Sequence, residues 1–591
     1  MAVLALCTAA APRSMPYSWQ SVAVGGGGFS PAIIFSRAEA DLAYLRTDIG
    51  GVYRWEGRVG HWVPLEDGLG EGSYQGVESI APDPHDPNRI YAAVGMYGGG
   101  KAAILRSEDR GTSWQVTPMP IAMGGNEDGR GMGERLAVDP QHPGHLLFGS
   151  RHDGMWRSED GGKSWAKLAA FPYAGLGKPP QYQTHGGLSF VLFDPRPGSG
   201  RVFAGVADHG ANGLYLSEDS GASWRKLDGG SGWMLPVKAD MDAAGTLYVA
   251  YSDWIGPMGI KSGAVWSLSP QGEWRDITPQ KGVGVPEGGY MGITADWSHP
   301  GTVMVASVNR WHPGDTIWRS NDGGTHWSDI GPRSKRDISA TPYVGFGADA
   351  ADTGHWMSGL AIDPFAPGRV AYTTGATIYR TNDVTATGTI DWSTWTSGVE
   401  ETAIIALVSP TGGVPLLSGF GDIGGFAHDR LDRSPTAQFL NPFLFNTNAI
   451  DYAGLAPQFV VRSGSARNPD PASAATLALS RDGGRSWSPL KIPLIRPKPG
   501  ALGQRFDLTG DASPVISADG GVIIVNTPIQ LVSRDQGKHW TPVAGLSDGA
   551  RVIADKAEPL RFYAVDFATS VVFASQDAGA SFAPVRASNL P

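Results

Sequence analysis

The chain has 591 residues, 82 of them glycine and 44 proline, with 20 Trp, 20 Phe and 17 Tyr, which describes a folded, turn-rich and aromatic-rich protein rather than a disordered or collagenous one. Its formal net charge is −10, whereas a polyanion partner wants a clustered basic face, so no nucleic acid is expected as a partner and a neutral one is. A single cysteine, Cys7, excludes an intramolecular disulfide framework, and no apolar run reaches the roughly 18 residues of a membrane-spanning helix, so no membrane is expected as a partner either.

The first residues, MAVLALCTAAAP, are apolar and then small. They resemble the tail of a secretory signal peptide without its basic start, so residues 1–16 are expected to be a signal-peptide remnant and the protein to be secreted. Leu6 is too bulky for Cys7 to be a lipoprotein site. Gly25–Gly28 follow in VGGGGFSP. Without a Lys-Ser/Thr pair after it this run is no phosphate loop; it is expected to let backbone approach a cleft or to pack tightly.

From Phe29 onward one unit recurs. Its signature is Ser-x-Asp-x-Gly-x-x-Trp, as in SEDRGTSW at Ser107–Trp114, SEDGGKSW at Ser158–Trp165, SEDSGASW at Ser217–Trp224, SNDGGTHW at Ser320–Trp327, SRDGGRSW at Ser480–Trp487 and SRDQGKHW at Ser533–Trp540. SQDAGASF at Ser575–Phe582 ends in Phe, and eroded copies lie at Ser267–Trp274 and Thr381–Trp392. Before the signature comes an apolar run, Asp-Pro, a turn and a strand, as in LAVDPQHPGHLLFGS. Each unit thus predicts four short strands in about 50 residues, which is a propeller blade. In the signature the Asp accepts backbone N–H groups of the turn, Gly supplies the positive φ and the aromatic packs between blades. These aspartates are many and equivalent, so they are structural.

Seven units fall at 29–62, 79–114, 136–165, 188–224, 239–274, 291–327 and 360–392, and four more at 403–436, 455–487, 514–540 and 552–582. The predicted fold is all-β: two β-propellers, a seven-bladed one over residues 17–400 and a similar but incomplete one, with about four blades present, over 401–591. An open second ring would leave apolar blade faces in water and loosen whatever site it carries, unless segments such as Asn441–Pro457 hide further blades.

Two carboxylates stand outside the turn signature. The first unit reads LAYLRTDIGGVYRW, with Asp48 before Ile-Gly-Gly, and the eighth reads PLLSGFGDIGGFAH, with Asp422 in the same place. Each follows the second strand of a unit that opens a ring, so the two can face each other across a cleft between rings. Opposed carboxylates are the minimal equipment of glycoside hydrolysis; alternatively, each Asp caps a Gly-Gly hairpin. Trp311, beside His312 in VNRWHPGD, and Tyr97, Trp254 and Trp356 lie in loop-like contexts, where flat rings can carry the apolar faces of sugars or serve packing alone. There is no H-E-x-x-H, no paired Cys and no G-x-S-x-G, and no metal or other cofactor is expected.

The segments YSWQSVAVGGGGFSPAIIF, YLRTDIGGVYRW, GMGERLAVDPQHPGHLLFGSR, VNRWHPGDTIWRSNDGG, LAIDPFAPGRVAYTTGATIYRTND and VEETAIIALVSPTGGVPLLSGFGDIGGFAHD resemble glycoside hydrolase family 74, the xyloglucanases. The resemblance implies two seven-bladed propellers with the substrate cleft between them, cleavage of the β-1,4-glucan backbone of xyloglucan with inversion, Asp48 as general base and Asp422 as general acid. For an inverting pair the carboxyls are expected roughly 6.5–9.5 Å apart, with Asp48 ionised and Asp422 protonated by burial or a neighbouring charge. Where many processive relatives carry two adjacent Trp, this chain has Trp311 and His312, which predicts an endo-acting monomer that releases substrate often. Two other readings are a sialidase, although Arg46 and Arg54 beside Asp48 form no evident arginine cluster, and a non-catalytic propeller interaction module, which leaves the two DIGG carboxylates unexplained.

Overall fold

The computed structural model describes residues 18–175, 185–281, 288–312, 314–346, 353–465, 475–492, 512–527 and 529–585. The expectations for residues 1–16 and Cys7 lie outside the described residues. Strands dominate; the helical turns are 3-10 turns of three or four residues, and no helix among the described residues is long and apolar enough to cross a membrane.

In many units an early strand is buried and apolar and the last strand is exposed. Ile90–Val94 (IYAAV) is buried at every position, whereas Arg225–Lys226 is exposed at both. Such a gradient suits sheets stacked face to face around an axis, with only the outer edge in water. Eleven sheets, antiparallel but for one added strand of the seventh, follow one another among the described residues, spanning 32–64, 77–118, 136–167, 188–226, 235–276, 290–329, 334–394, 404–428, 446–490, 513–542 and 551–585.

The signature turn works locally. Ser107 Oγ donates to Asp109 Oδ1 at 2.7 Å, the Ser113 amide donates to the same oxygen at 2.8 Å, and Gly111 at φ +82° donates its N–H to Ser107 Oγ. Trp114 then reaches across to donate its indole N–H to the Leu65 carbonyl of the preceding sheet at 2.7 Å. The same serine and aspartate bonds recur in the turns at Asp160, Asp219, Asp482 and Asp577. Hydrogen bonds from the Ser164 hydroxyl and amide hold Asp160 down to about 2.

The first seven sheets pack in sequence, and the first strand of the seventh, Leu360–Asp363, returns against Ala32–Phe35 of the first. The seam is apolar: Ile33, Phe35 and Trp62 meet Ala371, Ile378 and Trp395, and the Trp62 indole donates to the Trp395 carbonyl at 2.7 Å. Gly26 donates to the Val399 carbonyl at 2.7 Å, and the Glu400 carboxylate accepts from the Val24 amide at 2.9 Å.

The last four sheets also pack in sequence, each pair sharing an apolar core. The eleventh folds back on the ninth, where Lys556 pairs with Asp451 and donates to the Tyr452 carbonyl. Exposed apolar side chains mark the flanking sheets: Ile404, Ile405 and Leu407 on the eighth, Ile553 and Val585 on the eleventh. A separate cluster of Val24, Tyr343, Val344, Phe420, Ile423 and Phe426 seats the eighth sheet on the first ring.

Two sheets depart from four strands. The seventh has five, because Ser334–Asp337 adds in parallel to Ile390–Thr394. The eighth has three, where four are expected of each unit. Segment 441–457 holds Asn446–Tyr452, the first strand of the ninth sheet.

Glu66, 1% exposed beneath the first sheet's hairpin, is pushed up to about 8 by burial; burial likewise raises Glu400 and Asp315 to about 7. A carboxyl whose folded value lies above its unfolded one holds its proton better in the native state, so stability is full below about pH 4.5 and is lost as pH rises through the folded value. Thermal melts are therefore expected to give a Tm that falls between about pH 5 and pH 8, and a Glu66→Gln variant a flatter profile over that range.

Candidate active site

Asp48 sits in the hairpin between Ala43–Arg46 and Val52–Glu56. Capping of this hairpin falls to Thr47, whose hydroxyl donates to the Gly51 carbonyl at 2.9 Å and accepts from the Gly50 amide at 2.9 Å. The Asp48 carboxylate, 5% exposed, instead accepts from Arg130 Nε at 2.7 Å. Arg130 in turn lies over the Phe29 ring at 5.3 Å and the Trp356 ring at 5.9 Å, so its position is fixed on two sides.

Asp422 occupies the equivalent hairpin of the eighth sheet, between Leu416–Phe420 and Gly425–His428, and is exposed there, so the burial expected of it is not found. Its backbone is left-handed, at φ +68°, a conformation that costs a non-glycine residue and is kept where surroundings over-determine it. Asn446 Oδ1 accepts its N–H at 2.8 Å, and Phe420 N–H donates to the Gly424 carbonyl at 2.7 Å.

Both aspartates line one cleft of about 480 Å³, together with Gly27, Gly28, Arg130, Glu401 and Trp356. The cleft lies where the eighth sheet meets the first, and each of these two sheets supplies one of the aspartates. Glu401, 1% exposed, is the third carboxyl there. Burial first, and then the charge of Asp48 and a hydrogen-bonding contact with it, push Glu401 well above the ordinary carboxylate range, and Arg130 pulls against this. Two glycines make room for it: a Cβ at Gly28 would stand 2.7 Å from the Glu401 carboxyl, and one at Gly50 2.9 Å from its Cγ. The tight packing expected of the glycine run is found: Gly28 packs on this carboxyl, while Gly25, Gly26 and Gly27 pack on Thr341, Ala376 and Thr402.

The other expected residues take different places. Trp356 lines the cleft, edge-on to Phe29 at 5.6 Å. Trp311 is 45% exposed and stacks on His355, a cleft residue, at 4.4 Å. The Tyr97 hydroxyl accepts from Asn126, also in the cleft wall, at 2.7 Å. His312 is exposed and Trp254 is half-buried against the core of the fifth and sixth sheets, with His209 at 6.0 Å; neither lines the cleft. Phe346, Phe443 and Phe445 add flat apolar surface. Among the described residues no group of three or more His, Cys, Asp or Glu is arranged to hold a metal ion.

No family model matches the chain. It is 39% identical over 634 aligned positions to a xyloglucanase from Paenibacillus sp, an alignment that takes in 100% of this chain and 60% of that relative, so the chain spans well under two thirds of that relative's length. A xyloglucanase from Acetivibrio thermocellus is 37% identical, with 98% of this chain and 72% of the relative covered. The crystal structure of the GH74 xyloglucanase from Xanthomonas campestris superposes with a TM-score of 0.86 at 37% identity, covering 96% of this chain and 81% of that one. The chain belongs to the GH74 xyloglucanase family. Its GH74 cleft also holds residues that sequence reasoning does not reach. Arg130 has no motif of its own, and neither has Glu401, one of two adjacent acids in VEETAIIAL.

Proposed function

We propose that this GH74 chain is a secreted endo-β-1,4-glucanase that hydrolyses xyloglucan with inversion, with Asp48 as general base and Asp422 as general acid. The observation that carries the reading is that both DIGG aspartates line one cleft; the GH74 relatives supply the substrate class. In such a reaction Asp422 gives its proton to the glycosidic oxygen as the bond to the anomeric carbon breaks. A water on the other face attacks that carbon, and Asp48 takes the proton this water sheds. Arg130 gives the Asp48 carboxylate a fixed charged partner, and Trp356 with the neighbouring Phe rings offers the flat apolar surface that sugar faces need.

The sheet packing supports a division into a seven-bladed propeller over 17–400 and a partial one over 401–591, because the seventh sheet packs back on the first. A polymeric substrate does not cross a membrane, which favours action outside the cytoplasm, by a monomer and without nucleic acid or membrane as partner. One digest tests the activity. With xyloglucan, cellulose and a sialoside offered separately, xyloglucan oligosaccharides are expected by mass, and NMR of the first product should show the α-anomer. An initial β-anomer would mean retention and a different nucleophile. Released sialic acid or no product at all would favour the sialidase or the interaction module. Viscosity that falls well before reducing ends accumulate marks endo attack.

A further inference from the structure

Glu401 is a buried acid without a part in the two-carboxylate chemistry, yet the cleft is built around it. Gly28 and Gly50 leave the space its side chain fills, it lines the same cleft as Asp48 and Arg130, and both of its carboxyl oxygens are buried without a hydrogen bond from any neighbouring donor. Three carboxyl or guanidinium groups then share one small volume with a single positive charge, Arg130, whose Nε is already committed to Asp48 Oδ2. If Asp48 and Glu401 were both ionised, one buried negative charge would be left without a partner, a costly state. The stable arrangement holds one proton between them.

Resting on the reading of Asp48 as general base, we infer that Glu401 is a positioning residue for it: a neutral carboxylic acid that donates its O–H to the Asp48 carboxylate, while Arg130 holds the other side. The base is thereby clamped between an acid proton and a guanidinium, with the remaining lone pair turned to the cleft. Burial and the charge of Asp48 both favour the protonated form of Glu401. The acid is consumed in no step; it keeps its proton throughout, and the proton taken from water goes to Asp48.

The charged and titratable groups around this pair are Arg130, with Asp128 4.0 Å from its Nη1, and Asp422 and His355 across the cleft. On the Glu401 side stand its neighbour Glu400 and the phenols of Tyr53 and Tyr343, both of which feel the Glu401 charge, and Glu66 lies under the hairpin at Gly51. All of these stay in place when Glu401 alone is changed, so a change in the pH profile belongs to Glu401.

A hydrogen bond to a charged form favours that form, so loss of the donor should narrow the pH range over which the enzyme turns over. Glu401→Gln keeps the shape and a weaker N–H donor; kcat is expected to fall less than about tenfold at unchanged KM, with the acid limb of the kcat/KM profile moved to higher pH. Glu401→Ala removes the donor, and kcat should fall about 10–100-fold through misplacement of the base, with a larger move of the same limb. Rescue by Gln relative to Ala, together with the shifted limb, supports the inference. Acid limbs that superimpose on the wild type while activity and Tm fall together overturn it and leave Glu401 a packing residue. A second measurement needs no turnover. In infrared difference spectra against the wild type at neutral pH, one protonated-carboxyl band should be lost in Glu401→Gln and one should move in Asp48→Asn, where the acceptor becomes an amide; no shifted band in the Asp48→Asn difference refutes the inference even if the Gln variant does not fold. The underlying assignment fails separately: if Asp48→Asn keeps its turnover, Asp48 is not the base.

Discussion

Asp422→Ala and Asp48→Ala are each expected to lower xyloglucan turnover by about 10²–10⁴-fold, the usual contribution of a general acid or base, while Tm changes little. The second half of that expectation follows from where the side chains sit. Both aspartates belong to hairpins whose backbone is held by other residues, Thr47 in one and Asn446 in the other, so removal of either carboxyl leaves the turn intact. Asp48→Ala does strand Arg130, whose Nε loses its carboxylate partner, and a modest loss of stability is expected there and not at Asp422. Initial rates on polymer and a melt of each variant check both statements. Near-wild-type turnover by either variant would remove that residue from the mechanism.

Gly28→Ala is expected to be nearly as damaging without touching a reacting group. A Cβ there would stand 2.7 Å from Cδ and Oε2 of Glu401 and 2.8 Å from its carbonyl oxygen. A side-chain end can swing away, but a backbone carbonyl cannot, so the 25–29 segment must move. That segment includes Phe29, whose carbonyl accepts the Asp48 amide at 3.3 Å, and the displacement passes directly to the base. Misplacement by about 1 Å costs about 100-fold in rate, and overpacking of this kind costs about 1–3 kcal/mol of stability. Gly70→Ala is the control: nothing lies within 4 Å of its Cβ position, and it should match the wild type in rate and Tm. A Gly28→Ala enzyme with wild-type rate would show that the space beside Glu401 is slack.

What was legible in the sequence was local. The signature turn can be read because every role in it, Ser107, Asp109, Gly111 and Ser113, is filled within seven residues, and the repeat shows that role again and again. The three-stranded eighth sheet runs against the four strands expected of each unit, and absence of the phrase does not announce it, because the first unit also lacks the phrase and has four. Asp48 and Asp422 stood out because two units broke the pattern alike. Arg130 was invisible because its partner Asp48 is 82 residues away in the chain, and no local spacing encodes that meeting. The same holds for Glu401, and for Ser334–Asp337, whose parallel partner Ile390–Thr394 is supplied only after the rest of the seventh sheet has formed. The aromatic residues divide on this line too. Loop context marks Trp356 and Trp254 equally, and only the fold of the ring sends one to the cleft and the other to the edge of a core.

The seam between Val24 and Glu400 joins residues 376 positions apart. During synthesis at about 5–20 residues per second, the N-terminal partner waits roughly 20–75 s for the other to leave the ribosome. Throughout that interval Ile33, Phe35 and Trp62 lack the Trp395 and Ile378 that later cover them. The nascent chain's exposure to wrong partners is thus set by the circumference of its first ring, and a chaperone that shields the opening strands until the seventh sheet appears would act over that period and have little to do afterwards.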